Sequence, residues 1–169
     1  GGGPFGLAPG QWTDDTSMAM CLAESLVERG AFDARDQMGR YLNWYRWGYW
    51  SATGRCFDIG GTTRAALEAF ERSGEPYSGP THARAGGNGS LMRLVPVVLY
   101  AFPDGELAVR LAAESSRTTH GAPEPVECCR LYATLLVRAL AGADRSALSA
   151  VGHWDGAEAA VAEIARGRY

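Results

Sequence analysis

Thr13, Asp14 and Asp15 place one hydroxyl and two carboxylates at successive positions near the start of the chain. These oxygen ligands suit Mg²⁺ or Mn²⁺. Adjacent side chains at the start of a helix point about 100° apart, so the two carboxylates are better placed to serve two neighbouring ions than to chelate one. Asp is also a frequent helix N-cap, and for this cluster taken alone capping is the commoner role.

Three later segments combine polar residues with loops that precede helices. Asp58 stands shortly before Gly60 and Gly61, residues 86–90 read Gly-Gly-Asn-Gly-Ser, and His120 follows two threonines. Free N–H groups at a helix start or in a glycine-rich loop can bind phosphate, and histidine can hydrogen-bond a ligand. Each segment also has a structural explanation: a cap at Asp58, an ordinary loop at 86–90 and a local contact at His120. We expect these loops to converge on one cleft.

The spacing of apolar residues predicts that helices position these loops. Helical periodicity extends over residues 16–29, 33–50, 62–73, 91–102, 106–116, 123–141 and 157–166. In the first segment Met18, Leu22 and Leu26 recur every four residues, an aspartate of the acidic cluster can cap the start, and Gly30 ends the helix.

The second segment can be capped by Asp33, and its predicted apolar face consists of Met38, Leu42 and Tyr45. No segment of the chain alternates convincingly between apolar and polar residues, as a half-buried strand would. We therefore predict an all-α fold, a multi-helix bundle with irregular loops.

Composition limits the classes of function. With 46% hydrophobic and 21% charged residues, the 169-residue chain is expected to form one folded domain. The formal net charge of -3 argues against a dedicated nucleic-acid-binding protein, and no apolar run is long enough to span a membrane. The four cysteines form no Cys-x-x-Cys unit, which favours free thiols and a cytoplasmic location over a disulfide framework or a zinc knuckle.

Taken together, the polar segments resemble the ADP-ribosylglycohydrolases, including the dinitrogenase-reductase-activating type. The matching segments are 12–19 (Trp-Thr-Asp-Asp-Thr-Ser-Met-Ala), 58–63 (Asp-Ile-Gly-Gly-Thr-Thr), 87–93 (Gly-Asn-Gly-Ser-Leu-Met-Arg) and 116–121 (Ser-Arg-Thr-Thr-His-Gly). Agreement of four segments in order and spacing is far more specific than any one of them. For the first cluster it favours metal binding over capping.

The resemblance implies an all-α fold with two Mg²⁺ or Mn²⁺ ions and hydrolysis at the anomeric carbon of ADP-ribose. By position it makes Thr13, Asp14 and Asp15 metal ligands and places Asp58 at the ribose end of the cleft. The catalytic residues would then be Asp14, Asp15 and Asp58, and the substrate-binding residues Asp58, Asn88, Gly89, Ser90, Met92 and His120. Gly61 replaces an Asn that is common in the family, which removes one side-chain contact.

Two parts of the family pattern are not found in this sequence. Family members carry a later acidic cluster, typically Asp-x-Asp-Thr, and many have an earlier helix with a glutamate that contributes to the same metal centre. We therefore expect residues 1–169 to form a single partial domain, with a glycine-rich loop at 1–12 and helices over 13–169. Weak or partial metal occupancy and self-association through exposed apolar faces are expected.

The leading hypothesis is metal-dependent hydrolysis of the N- or O-glycosidic bond that links ADP-ribose to a protein side chain or a related conjugate, with little activity in this chain by itself. The partner would be an ADP-ribosylated protein or ADP-ribose conjugate, with neither a nucleic acid nor a membrane involved. The alternative is a non-catalytic ADP-ribose-binding or structural module. A hydrolase of another phosphate-bearing nucleoside is also compatible with the sequence.

Overall fold

The regular elements of this protein, described by a computed structural model for residues 2–149, 151 and 154–168, are helices. In chain order they are α1 (Asp14–Arg29), α2 (Ala34–Trp47), α3 (Gly61–Ser73), α4 (Gly89–Met92), α5 (Val95–Ala101), α6 (Gly105–Arg117), α7 (Pro123–Leu140), α8 (Arg145–Ser149) and α9 (Ala159–Ala165), with a 3₁₀ turn at Ala83–Ala85. Within those ranges the only strand-like pairing is an isolated bridge between Gly2 and Leu7. The all-α prediction is confirmed.

Helix α1 begins two residues earlier than the periodicity predicts. Thr13 is its N-cap residue and is extended, but its side chain makes no capping hydrogen bond. Asp14 and Asp15 occupy the first two helical positions, so the expectation that one of them caps the helix is wrong. The predicted end is confirmed, since Gly30 adopts the left-handed conformation with φ of 63° and its N–H bonds to the carbonyl of Leu26.

Helix α2 begins as predicted and ends three residues earlier. The Asp33 carboxylate accepts hydrogen bonds from the N–H groups of Arg35 and Asp36, both at 3.0 Å. Gly48 ends the helix with φ of 69°, and a Cβ at this position would lie 2.4 Å from the carbonyl of Gly54. The close approach of these two backbone segments therefore requires glycine at position 48.

The predicted helix 91–102 is two helices, α4 and α5, separated at Arg93 and Leu94. Pro96 explains the break. It has no N–H to bond the carbonyl of Met92, and its ring would clash with that carbonyl in a continuous helix. Proline is well tolerated in the first turn of a helix, which is where Pro96 lies in α5. The break turns Arg93 into the protein interior.

One main hydrophobic core lies between α1, α2, α3, α5, α6 and α7. Its fully or nearly fully buried members include Met18, Leu22 and Leu26 from α1, Met38, Tyr41 and Trp44 from α2, Leu67 from α3, Val97 and Val98 from α5, Ala112 from α6 and Cys129 from α7. The α1 face is as predicted. For α2 the prediction is partly wrong, because Leu42 and Tyr45 are only half-buried while Tyr41 and Trp44 are in the core.

A cluster of ion pairs joins α1 to α2 on the outside of this core. The guanidinium of Arg40 contacts Glu24 at 2.6 Å, Glu28 at 2.7 Å and Asp36 at 2.6 Å. Its side chain is only 14% exposed, so these pairs are screened less by solvent than most surface ion pairs. This cluster fixes α1, and with it the acidic start of that helix, against the rest of the bundle.

The four cysteines are free thiols, with Cys21 and Cys129 buried. This agrees with the expectation that no disulfide framework is present. None of the helices in the described part of the chain has the length and apolar character that a bilayer span needs.

Candidate active site

The N-terminal ends of α1, α3 and α4 meet the segment that follows α6 around one cleft of about 310 Å³. Its lining residues are Asp14, Asp15, Asp58, Gly60, Gly61, Thr62, Thr63, Gly87, Asn88, Gly89, Met92 and His120. The loops singled out in the sequence therefore do converge. Of the predicted site residues, Thr13 and Ser90 are the two that do not line the cleft.

The acidic side of the cleft holds three carboxylates. Burial, and then the nearby charges of Asp15 and Asp58, raise the pKa of Asp14 to about 6. Burial and the charge of Asp58 also raise the pKa of Asp15, while the buried Arg93 opposes this shift. The three side chains therefore repel one another when all are ionised, and the cleft attracts cations.

Asp58 is one of two non-glycine residues with a positive φ in the described chain, at 60°. The left-handed conformation is unfavourable for most residues, although Asp tolerates it better than others. It lies just before α3, whose N-cap residue Gly60 makes no side-chain cap. The expectation that Asp58 caps this helix is therefore wrong. Its carboxylate lies at the cleft beside the first turn of α3 instead.

The donor atoms of this side of the cleft fit a hard divalent cation, because carboxylate and hydroxyl oxygens are its preferred ligands. A cation would also offset the effects of burial and of the Asp15 and Asp58 charges, which together raise the pKa of Asp14. In the part of the chain that the structure describes, no three His, Cys, Asp or Glu side chains are grouped closely enough to form a metal site by themselves.

The opposite side of the cleft is formed by the glycine-rich loop and His120. A Cβ at Gly87 would lie 2.9 Å from Nε2 of His120, and a Cβ at Gly89 would lie 3.3 Å from Cε1 of the same ring. The loop can approach the imidazole this closely because it has no side chains at these two positions. Asn88 and Met92 are exposed at the cleft.

Ser90 does not have the position that the sequence led us to expect. Its side chain is 2% exposed and points into the protein, where its hydroxyl accepts a hydrogen bond from Oγ of Ser116 at 2.9 Å and lies 3.5 Å from Sγ of Cys129. Ser90 thus anchors the glycine-rich loop to α6 and α7. The Ser90 hydroxyl therefore completes an internal hydrogen-bond network and does not line the cleft, whereas Asn88 and Gly89 do. That this loop lines the ADP-ribose site stays a prediction.

His120 is 1% exposed and its Nδ1 lies 2.8 Å from Oγ1 of Thr119. Burial and the nearby Arg93 lower the pKa of His120 to about 3. The imidazole is therefore neutral at physiological pH and serves as a hydrogen-bonding group rather than as a cation.

The sequence analysis assigned no role to four residues of the matching segments that shape the cleft or support it, namely Thr62, Thr63, Arg93 and Thr119. Arg93 is completely buried behind the cleft, where its guanidinium stacks on Tyr41 at 4.6 Å. One signal was available in the sequence, because Arg93 is the single charged residue in the stretch from Leu91 to Tyr100.

The cleft is not the largest concavity of the protein. A groove of about 900 Å³ lies along α6 and α7 beside Trp154. It is lined by side chains of both charges, and Arg130 there is paired with Asp155 at 3.4 Å. The smaller cleft is the candidate active site because three carboxylates, a neutral imidazole and free helix N-termini meet there.

Comparisons with known proteins relate this chain to one family. The family model described as ADP-ribosylglycohydrolase matches residues 2–167. ADP-ribosylarginine hydrolase Tri1 of Pseudomonas putida (strain GB-1) is 46% identical over 145 residues, which cover 86% of this chain and 39% of that protein. The enzyme of the same name from Serratia proteamaculans (strain 568) is 40% identical over 145 residues, 86% of this chain and 40% of that protein.

Similarity extends to a solved structure, described as an ADP-ribosylglycohydrolase-related protein complex. It superposes with a TM-score of 0.74 at 50% sequence identity, covering 89% of this chain and 48% of that one. The chain thus spans about two-fifths of the length of the two curated relatives and about half of the solved chain.

Proposed function

Because this chain belongs to the ADP-ribosylglycohydrolase family, we propose that its cleft contributes to hydrolysis of the glycosidic bond that joins ADP-ribose to a protein side chain. The resemblance seen in the four sequence segments is confirmed by the family match. Arginine is the favoured acceptor, because the two relatives described above are named ADP-ribosylarginine hydrolases.

The observation that carries this proposal is the meeting of three carboxylates with a neutral imidazole and a glycine-rich loop around one cleft. Glycoside hydrolysis needs carboxylates near the anomeric carbon, where they activate water and stabilise positive charge in the transition state. A diphosphate needs N–H donors. The uncapped N-terminus of α3, a helix of 13 residues, lies in the cleft with its free N–H groups and the positive end of its dipole.

The residues divide into two roles on this proposal. Asp14, Asp15 and Asp58 are the catalytic carboxylates, with Asp58 at the ribose. Asn88, Gly89, Met92 and His120 line the remainder of the ADP-ribose site together with the first turn of α3. Ser90 supports the loop from below through its bond with Ser116.

Thr13, Asp14 and Asp15 are the residues that would hold Mg²⁺ or Mn²⁺. When bound, such ions supply Lewis-acid stabilisation and a more acidic water. Thr13 does not itself line the cleft but directly precedes Asp14, and its hydroxyl makes no capping hydrogen bond that would compete with a ligand role. Because these three residues supply few ligands, we expect this chain to bind Mg²⁺ or Mn²⁺ weakly. We expect two ions to bind together only where further protein ligands complete the coordination shell.

The test is release of ADP-ribose from an arginine-ADP-ribosylated protein, measured with Mg²⁺ and with EDTA. We expect slow release that depends on the metal and is abolished in Asp15→Asn. Release that is unaffected by both EDTA and Asp15→Asn would contradict the proposal. Thr16→Ala, an exposed residue next to the cluster, is the control and should leave release unchanged.

A non-catalytic ADP-ribose-binding module is the second candidate. It is favoured by one observation, that no group of three metal-binding side chains forms in the described residues although the loops of the opposite wall are in place. Calorimetry distinguishes the two: binding of ADP-ribose in EDTA with an affinity equal to that in Mg²⁺, and without any release activity, would favour the module.

The proposed function also suggests a cell compartment and a partner. Free thiols in the chain favour a reducing compartment, and we propose the cytoplasm. The partner is an ADP-ribosylated protein or a related ADP-ribose conjugate.

A further inference from the structure

A line of buried side chains leads from Arg93 through Thr119 to His120 at the cleft. Nη2 of Arg93 donates a hydrogen bond of 2.6 Å to Oγ1 of Thr119, which in turn lies 2.8 Å from Nδ1 of His120. All three side chains are at most 1% exposed. Water therefore has almost no access to these hydrogen bonds and does not compete with them.

Arg93 is held by neutral groups. Its guanidinium also donates to the carbonyl of Ser115 at 3.3 Å and approaches Oγ1 of Thr118 at 3.5 Å, and it forms no ion pair with any residue that the structure describes. Apart from the Tyr41 ring on which it stacks and the charge of Asp15, with which it forms no ion pair, the buried guanidinium has only neutral partners. An apolar side chain of similar volume would pack at lower cost. The position of Arg93 is therefore hard to explain by stability alone.

The proton on His120 can be assigned from these contacts. Arg93 is always protonated, so Oγ1 of Thr119 must accept from it. If Nδ1 of His120 also donated to this oxygen, the hydroxyl hydrogen of Thr119 would have no acceptor among the described residues. The arrangement that satisfies every group has Thr119 donating to Nδ1. The neutral imidazole then carries its proton on Nε2.

Nε2 faces the glycine-rich loop at the cleft wall. A Cβ at Gly87 would come within 2.9 Å of it and one at Gly89 within 3.6 Å. No hydrogen bond to Nε2 is formed by the part of the chain that the structure describes. The N–H at this position thus faces Gly87 and Gly89 at the point where these two residues line the cleft.

We propose that Arg93 and Thr119 are positioning residues that hold His120 as the Nε2–H tautomer, so that this N–H donates a hydrogen bond to an oxygen of the ligand in the cleft. The assignment of the ligand rests on the proposed function, whereas the tautomer does not. The acceptor is an oxygen of the diphosphate or of the distal ribose, the ribose that carries the glycosidic bond and that ADP does not have. The low pKa of His120 is consistent with this role, because a neutral ring can keep one fixed donor over the physiological pH range.

The first test is the protonation of the His120 ring, observed by long-range ¹H–¹⁵N NMR of the native chain at pH 7. The signals are assigned by their loss in His120→Gln. We expect a protonated Nε2 and an unprotonated Nδ1. A proton on Nδ1 would overturn the proposal, whether or not any variant folds.

The matched variants Thr119→Ser and Thr119→Val separate positioning from packing. Ser keeps the hydroxyl, and Val keeps the volume without it. We expect the native tautomer in Thr119→Ser and a shift towards the Nδ1–H form in Thr119→Val. Binding of ADP-ribose in the presence of Mg²⁺ should weaken about tenfold in Thr119→Val, which is the loss expected for one hydrogen bond. In Thr119→Ser it should stay within about twofold of the native affinity.

Titration with ADP beside ADP-ribose identifies the acceptor. Equal weakening for both ligands in Thr119→Val assigns it to the diphosphate, and weakening for ADP-ribose alone assigns it to the distal ribose. Unchanged affinity for both, in a folded Thr119→Val with an altered tautomer, would overturn the donor role. If the native chain binds neither ligand, the proposed function fails, and the NMR spectrum still decides the tautomer.

Discussion

At the scale of single residues, the electrostatics of the cleft are set by how many carboxylates it holds and by which cations lie behind them. Burial, and then the charges of Asp15 and Asp58, raise the pKa of Asp14 to about 6. Arg93 opposes the same effect at Asp15. A site of this kind is destabilised by its own charge and stabilised by whatever cation binds it.

We predict that Asp14→Asn raises the thermal stability of the chain in EDTA at pH 8. The folded-state pKa of Asp14 lies above its usual value of 3.8, so the native chain loses stability as the pH rises from about 4 through 6. The gain from the substitution should therefore be larger at pH 8 than at pH 5, as followed by circular dichroism. Asp155→Asn, far more exposed at 71%, is the control and should show no such gain.

Mg²⁺ should make the native chain more thermally stable than Asp14→Asn, which is the reverse of the order expected in EDTA. It raises the melting temperature of the native chain by binding the folded state, and Asp14→Asn should respond much less. An equal response of both proteins to Mg²⁺ would exclude Asp14 as a ligand.

His120 gives a pH dependence of the opposite sign. Its folded-state pKa of about 3 lies below the usual 6.5, so the unfolded chain takes up a proton in this interval while the folded chain does not. The stability contributed by the neutral ring is complete above pH 6.5 and is lost as the pH falls towards 3. Urea unfolding at pH 7 and pH 5 should show the native chain losing its advantage over His120→Gln. A constant difference at the two pH values would contradict the assignment.

At the scale of elements, Arg40 holds α1 to α2. It contacts three carboxylates while only 14% exposed, and removing it leaves Glu24 and Asp36 without their cation. We predict that Arg40→Met lowers the free energy of unfolding by about 2 kcal/mol, as measured in urea. The exposed pair of Arg46 with Glu71 provides the control, since solvent screens this pair and Arg46→Met should lower the free energy of unfolding clearly less than Arg40→Met. Equal losses would show that burial does not strengthen the Arg40 cluster.

At the scale of the whole molecule, an apolar stripe remains uncovered. Val95, Leu99 and Phe102 recur at helical spacing along α5 and at its end, and they are 40%, 58% and 40% exposed. We predict that the chain self-associates at micromolar concentration through this stripe. Sedimentation velocity should show an average mass that rises with concentration, and Leu99→Glu should reduce the rise. Ile164→Glu, on α9, is the control and should not; a native chain that stays monomeric would contradict the prediction.

Much of the fold was predictable from local sequence. Helix periodicity and end signals such as Gly30 and Asp33 depend on residues within about four positions of each other, and the structure confirms them. The break at Pro96 was equally local, but apolar periodicity alone does not register a proline and predicted one helix in place of two. The carboxylates of the cleft were also singled out, because four polar segments together resembled one family in order and spacing, whereas each segment alone also had a structural explanation.

What the tertiary structure decided was the burial and the partners of individual side chains. Ser90 lies beneath the loop because α7 brings Cys129 against it, and Arg93 meets Thr119 only because the end of α6 packs behind α4. These contacts join residues 26 or more positions apart in the chain. Periodicity reports which face of a helix is apolar, whereas desolvation and hydrogen bonding between distant segments depend on how the helices pack.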